Sequence, residues 1–179
     1  MGNIIRNLGR TALILAGLPI VGLAGYDLVS VRPRLAQVEK ILESASAQDA
    51  NPPPLIRKMI DANSSDPAST ATMNVVWRVY PQSSNLRWHM RNALWRLLLP
   101  LHLGQDGMYG LYATLSFNGV DHGLNNYAER EFGAPLDKLT ATQAATTVAI
   151  THFPSRYSKD RESLDNRAAV LLRKSGVAP

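Results

Sequence analysis

The chain has 179 residues, 45% of them hydrophobic, with a net charge of +5 and no cysteine. The lack of cysteine excludes a disulfide scaffold, thiolate metal sites and a cysteine nucleophile. The mild positive charge fits an anionic membrane surface, a phosphate-bearing ligand or nucleic acid, and equally a plain solvated surface.

Residues 1–10 carry Arg6 and Arg10 and no acid, and Thr11 to Tyr26 is free of charge. With Leu28 to Val31 added beyond Asp27, the run approaches the roughly 20 residues that span a bilayer. The favoured reading is a single-pass signal anchor over 11–31 behind a cytoplasmic N-terminus, 1–10. A cleaved signal peptide ending in the small residues Gly22 to Gly25, or a buried helix, are the alternatives. Arg6 and Arg10 vote for a cytoplasmic N-terminus, and Arg32 and Arg34 pull against them.

Arg32 to Ser46 reads as a helix with Leu35, Val38, Ile41 and Leu42 on one face. Gln48 to Pro54 follows as an extended linker, because three consecutive prolines cannot continue a helix. Residues 32–54 are thus expected to be a stand-off helix and Pro-rich linker, and residues 55–179 the domain. Leu55 to Ala62 restarts as a short helix, and Asn63 to Pro67 has loop chemistry. Ser69 to Val79 is read as a helix capped by Ser69, in preference to a strand. Ser84 or Asn85 caps the next helix, which is expected to end near Pro100. Further helices are expected from Gln105 to Phe117, from Leu124 to Phe132 with Gly133 as its stop, and from Thr140, as cap, to Ile150. Pro154 to Tyr157 is expected to be extended, and Asp160 to Lys174 a last amphipathic helix. The fold class is mainly α, with no internal repeat.

Trp77, Arg78, Arg87, Trp88, His89, Arg91, Trp95 and Arg96 interleave aromatic and basic side chains, a composition that can bind single-stranded nucleic acid. No nucleic-acid motif accompanies them, so core tryptophans beside solvated arginines are the preferred account and no nucleic-acid partner is expected. A basic groove for a phosphate-bearing lipid head group is a third option, since arginine forks suit phosphate oxygens. His89, His102, His122 and His152 lack metal-ligand spacing. Glu129 and Glu131 lie two apart on a helix and point to different sides.

From Tyr112 onward the chain resembles the peptidoglycan glycosyltransferases of family 51, the membrane-anchored transglycosylase domains. Tyr112 and Gly119 keep the spacing of Y-L-N-x-x-x-x-G. Gly123, Ala128, Phe132 and Gly133 fit G-x-x-A-A-x-x-Y-F-G-K, with Arg130 at an often basic position. Leu139, Thr140, Ala144 and Ala145 fit L-T-x-x-E-A-A, and Pro154, Ser155 and Tyr157 fit P-S-x-Y. Arg167, Val170 and Leu171 fit a late R-x-x-V-L. Upstream, Ser69, Thr70, Ala71 and Thr72 resemble the start of S-T-I-T-Q-Q, with Met73 and Asn74 in place of the glutamines. Arg91 can be set on the first residue of R-K-x-x-E, which puts Asn92 on the lysine and Trp95 on the glutamate. The helix to Ala62 can be set on the one leading to the family's Glu-Asp pair, where Asn63 and Ser64 stand instead. The resemblance covers about two-thirds of the chain, and its specific part is the C-terminal half.

The resemblance implies a lysozyme-like transglycosylase domain behind one N-terminal membrane helix. It implies a place in cell-wall assembly, on the periplasmic or outer side of a bacterial cytoplasmic membrane. The family joins lipid-linked disaccharides. A glutamate deprotonates the acceptor 4-hydroxyl, that oxygen attacks the donor's anomeric carbon, and undecaprenyl pyrophosphate leaves. A second glutamate, basic residues and often a divalent cation organise the pyrophosphate. Here the two glutamate positions hold Asn63 and Trp95, and no ligand set for a cation can be identified. An asparagine cannot accept the proton, and general-base catalysis is worth roughly a hundred- to ten-thousand-fold. Asp61 and Asp66 flank the first position. Asp66 is the substitute carried forward, although a helix-end carboxylate and an Asp-Pro turn explain the two more simply. The expected role is therefore that of an impaired or inactive relative. It would bind lipid-linked precursor, glycan or a synthase partner, with Ser69, Thr70, Thr72 and Arg91 as substrate-binding residues. The alternative is a structural subunit of a membrane complex that binds no ligand.

Overall fold

The computed structural model describes residues 17–81 and 84–178. It divides into a unit ending at Ala36 and a larger unit beginning at Gln37. In the first, residues 17–26 are helical, followed by a π-helical turn, Asp27–Val31, and a 3-10 turn, Arg32–Arg34. Asp27 accepts a hydrogen bond from Nε of Arg32 at 2.8 Å. Among the described residues no helix is long and apolar enough to cross a membrane. Residues 11–16 of the expected anchor, and 1–10 before them, lie outside the described residues.

The chain is mainly α, and the only β feature among the described residues is an antiparallel bridge between Phe117 and His122. Helix α1, Leu35–Glu43, leads into the larger unit. The segment expected to be a linker holds a short helix, α2, Ala47–Ala50, capped by Ser46, whose Oγ accepts from the Asp49 amide. Asn51 and Pro52 beyond it are fastened to α3, Pro54–Asn63, by Arg57. Its Nε donates to the Pro52 carbonyl at 2.8 Å and its Nη2 to Asn51 Oδ1 at 2.6 Å. The expected extended linker is therefore not found: α2 ends at Ala50, Pro54 opens α3, and the chain between them lies against the domain.

Helix α4, Pro67–Val79, is capped by Asp66 rather than Ser69. Asp66 Oδ1 accepts from the Ser69 amide at 2.9 Å. The correction has a simple cause. Pro67 occupies the first helical position, which its fixed φ and missing N–H suit, so the cap must be the residue before it. Helix α5, Asn85–Leu115, runs through Pro100 and breaks instead at Gly104, where φ is +65° and ψ −179°. That backbone conformation is essentially reserved for glycine, whereas Pro100, which removes one hydrogen bond and crowds the carbonyl four residues before it, keeps helical geometry here.

Helix α6, Leu124–Phe132, ends on Gly133. Helix α7, Ala141–Ala149, starts in a capping box: Thr140 and Gln143 each bond the other's backbone amide, at 3.3 and 2.9 Å. Pro154–Tyr157 forms a short helix, α8, and is not extended. Proline at its first position starts the turn, and the Ser158 amide closes it on the Pro154 carbonyl. Helix α9, Arg161–Ser175, is capped by Asp160.

Two groupings carry the core. Helices α4 and α5 form a hairpin, with Ala71, Val75 and Val76 on one arm and Trp95, Leu98 and Leu99 on the other all buried. Helix α3 packs on α7 and α9. It contributes Ile56, Met59 and Ile60, while α7 contributes Ala144, Ala145 and Val148, and α9 Leu164 and Leu171. The alanines let α7 come close to its neighbours. Helices α2 and α6 close on the C-terminal half of α5. There Gly110 lies so near that a Cβ would stand 2.4 Å from the Ala50 carbonyl oxygen.

Candidate functional site

The last turn of α3 and the first of α4 make a corner, and two polar structures meet it. One is a knot around Asn63. Its Nδ2 faces Tyr112 Oη at 3.2 Å, Thr151 Oγ1 at 3.2 Å and the Val148 carbonyl at 3.4 Å. Its Oδ1 accepts from Nη2 of Arg167 at 2.7 Å, and the same nitrogen reaches the Asn63 carbonyl at 3.3 Å. Tyr112 Oη and Thr151 Oγ1 lie 3.3 Å apart, and Thr151 also donates to the Val148 carbonyl at 2.8 Å. Every polar atom of the Asn63 side chain is therefore engaged. A neutral amide with its oxygen on a guanidinium has no basicity to offer.

The other structure is a pocket of about 300 Å³ on the α4 side of the same corner. Its polar lining includes Asp61, Asp66, Gln105 and Tyr109, and its apolar lining includes Pro67, Pro100 and Met108. Tyr109 donates to Asp61 Oδ1 at 2.6 Å, and Gln105 Nε2 reaches the same phenol oxygen at 3.4 Å. Burial, and then the hydrogen bond to the Asp61 carboxylate, push the Tyr109 phenol above its ordinary pKa. The phenol therefore stays a donor at neutral pH. The Arg57 guanidinium lies over the Tyr109 ring at 5.3 Å and pairs with Asp106. Asp66 lines the pocket while it caps α4 and pairs with Arg96. Carboxylates, an amide and a phenol around an apolar floor can bind hydroxyl groups, and among the described residues no arginine or lysine lines the pocket to attract an anion.

The structure separates the residues that the sequence grouped. Asn63, Asp66, Ser69 and Thr70 share the corner. Ser69 gives its backbone amide to the cap, and Thr70 Oγ1 lies 3.4 Å from Ser64 Oγ and from the Asp66 carbonyl. Thr72 and Trp95 are fully buried in the hairpin, so neither meets a ligand. Trp95 stands edge-on to Tyr80 at 5.8 Å. Thr72 Oγ1, Asn92 Oδ1 and the indole nitrogens of Trp88 and Trp95 have no hydrogen-bond partner among the described residues. Arg91 stacks on the Tyr80 ring at 4.1 Å and lines none of the pocket at the corner. The sequence reading missed the pairing of Tyr109 with Asp61 and the joining of Tyr112, Thr151 and Arg167 at Asn63. Tyr112 and Arg167 were already visible in the family pattern, but nothing in their spacing says that they meet.

Among the described residues no three His, Asp or Glu side chains converge to hold a metal ion. Of the two pocket carboxylates, Asp66 is committed to a helix cap and an arginine. The residues present do not fit the divalent cation that the family resemblance implies. The chain matches no family model, no curated protein and no solved structure.

Proposed function

We propose that the chain is a divergent, lysozyme-like relative of the peptidoglycan glycosyltransferases. On this reading it acts in cell-wall assembly at the outer face of a bacterial cytoplasmic membrane. It binds lipid-linked precursor or glycan, alone or beside a synthase partner, and does not polymerise. One observation carries the reading. The positions that correspond to the family's two glutamates hold an amide tied on every polar atom and a tryptophan with no exposed surface. Neither can take a proton from a sugar hydroxyl, and neither can organise a pyrophosphate.

The pocket at Asp61 and Tyr109 suits the sugar end of such a precursor better than its pyrophosphate. Asp61 accepts hydrogen bonds from hydroxyl groups, and Tyr109, itself met by Gln105, fixes its orientation. Its volume is at the lower end of the roughly 300–1,000 Å³ usual for small-molecule sites, so one or two rings are the scale of ligand it takes.

The test uses the full chain in detergent with labelled lipid-linked disaccharide. Saturable binding that weakens in Asp61→Asn, with no glycan chains formed, is the expected result. Glycan chains that persist in Asn63→Ala and vanish in Asp61→Asn or Asp66→Asn would overturn the non-catalytic reading. No binding to precursor or glycan would leave the structural-subunit alternative in its place.

A further inference from the structure

The N-terminal arm of α5 has two apolar faces. One, with Trp95, Leu98 and Leu99, is buried in the hairpin. On the opposite side Leu86, Met90, Leu97 and Leu101 are exposed by 72, 58, 59 and 77%. Their spacings of four, seven and four residues put them in a single stripe, and at 1.5 Å per residue the stripe is about 22 Å long. Ala93, also exposed, fills the gap between Met90 and Leu97. An ordinary surface helix is apolar on its core side only, so a second apolar face implies a second non-aqueous surrounding.

The charges identify that surrounding. Residues 85–104 contain three arginines and no acid. At 100° per residue Arg87 falls on one flank of the stripe, and Arg96 and His89 on the other. Arg87 and Arg96 are exposed, Arg96 while paired with Asp66. A second copy of this face would bring Arg87 again and no acid beyond Asp66, which Arg96 already holds. The chain's own residues 1–16 bring none either, since their only charged side chains are Arg6 and Arg10. An anionic lipid surface complements the basic flanks and accepts the stripe. We infer that the N-terminal arm of α5 lies in the plane of an anionic bilayer surface, with Leu86, Met90, Leu97 and Leu101 sunk into the boundary between head groups and acyl chains. The stripe then sits about 5–10 Å deep, the depth usual for interfacial helices. This contact is separate from any tether at the N-terminus, and it does not rest on the transglycosylase reading.

The absence of native cysteine allows a direct test in the full chain. Single variants Met90→Cys, Leu97→Cys and Leu101→Cys each carry a nitroxide, with Lys174→Cys on α9 as the aqueous reference. Vesicles are phosphatidylcholine alone or with one part in three phosphatidylglycerol. On the anionic vesicles the three stripe probes should become shielded from a water-soluble nickel chelate and accessible to oxygen, while the probe at 174 stays nickel-accessible. Depth is read at each probe, so attachment of the chain elsewhere does not imitate the result. The inference is overturned if the stripe probes stay nickel-accessible on vesicle-bound protein, or if shielding is equal on neutral vesicles. It is overturned equally if they are already shielded without lipid. Shielding that rises with protein concentration would then assign the face to a second copy, and concentration-independent shielding to another part of the chain.

Discussion

The two arms of α5 are one helix in sequence and two in physics. Before Gly104 the arm buries one side and exposes leucines on the other. After it, from Met108 to Leu115, every residue except Thr114 is buried. The first arm pairs with α4 in the hairpin, while the second meets α2 at Gly110 and α3 through Tyr109 and Tyr112. The break at Gly104 therefore divides a surface-forming arm from a core-forming arm. Hydrophobicity alone does not tell them apart, because the partly exposed first arm holds seven leucines and the buried second arm only two. What separates them is whether small residues such as Gly110 allow other backbone to approach.

This contrast predicts where substitutions matter. The largest effect belongs in the second arm. A Cβ at Gly110 would stand 2.4 Å from the Ala50 carbonyl oxygen and 2.9 Å from Leu42 Cδ2. Gly110→Ala should cost about 3 kcal/mol, the upper end for overpacking, measured by urea unfolding. A cost below about 0.5 kcal/mol, the range of ordinary surface changes, would break the contrast.

The next effect comes from Asp49, which docks α2 on the start of α6 by accepting from the Asn125 amide at 2.9 Å. Burial raises its pKa from 3.8 to about 6, against the opposing pull of the Asn125 amide and Ser46. Between those values the folded chain keeps a proton that the unfolded chain releases. The stability from this group is thus complete below pH 3.8 and is lost as pH rises through about 6. At 1.36 kcal/mol per pKa unit the loss is up to about 3 kcal/mol. Unfolding midpoints taken from pH 4 to 7 should fall more steeply for the native chain than for Asp49→Asn, and parallel curves would refute the assignment.

The smallest effect belongs to the exposed face of the first arm. In detergent-free solution Leu97→Gln with Leu101→Gln should change stability by no more than about 0.5 kcal/mol, as for surface sites in general. A loss of several kcal/mol would mean that the stripe is covered in the folded chain.

How far the sequence foretold this structure depends on the range of the interaction. Local signals were legible: Gly133 stops α6, Thr140 with Gln143 starts α7, and Asp160 opens α9. Where two local signals competed, the stereochemically stricter one prevailed. Pro67 moved the cap from Ser69 back to Asp66, and Gly104 took the break that Pro100 had been expected to make. Pro154 suits an extended segment in sequence, but it serves equally well as the first residue of a turn. The stretch expected to be a linker was misjudged because its attachment depends on Arg57, and on Gly110 far along the chain. The site was legible at one end only. Asn63 stood out against the family pattern, but Tyr112, Thr151 and Arg167 come to it from 49, 88 and 104 residues away. No periodicity reports on contacts of that range.

Those separations bear on the order in which the molecule assembles. The amide of Asn63 is satisfied only when α3, α5, α9 and the turn after α7 have all arrived, so it rewards the chain after most of its loop closure is complete. Because the entropy of loop closure is lost before contacts of such high sequence separation compensate for it, these are expected to form after the transition state rather than before it. Interactions absent from the transition state act instead on the rate of opening. The knot at the end of α3 is in that sense a latch on the finished fold, closed last and first to be felt when the chain begins to come apart.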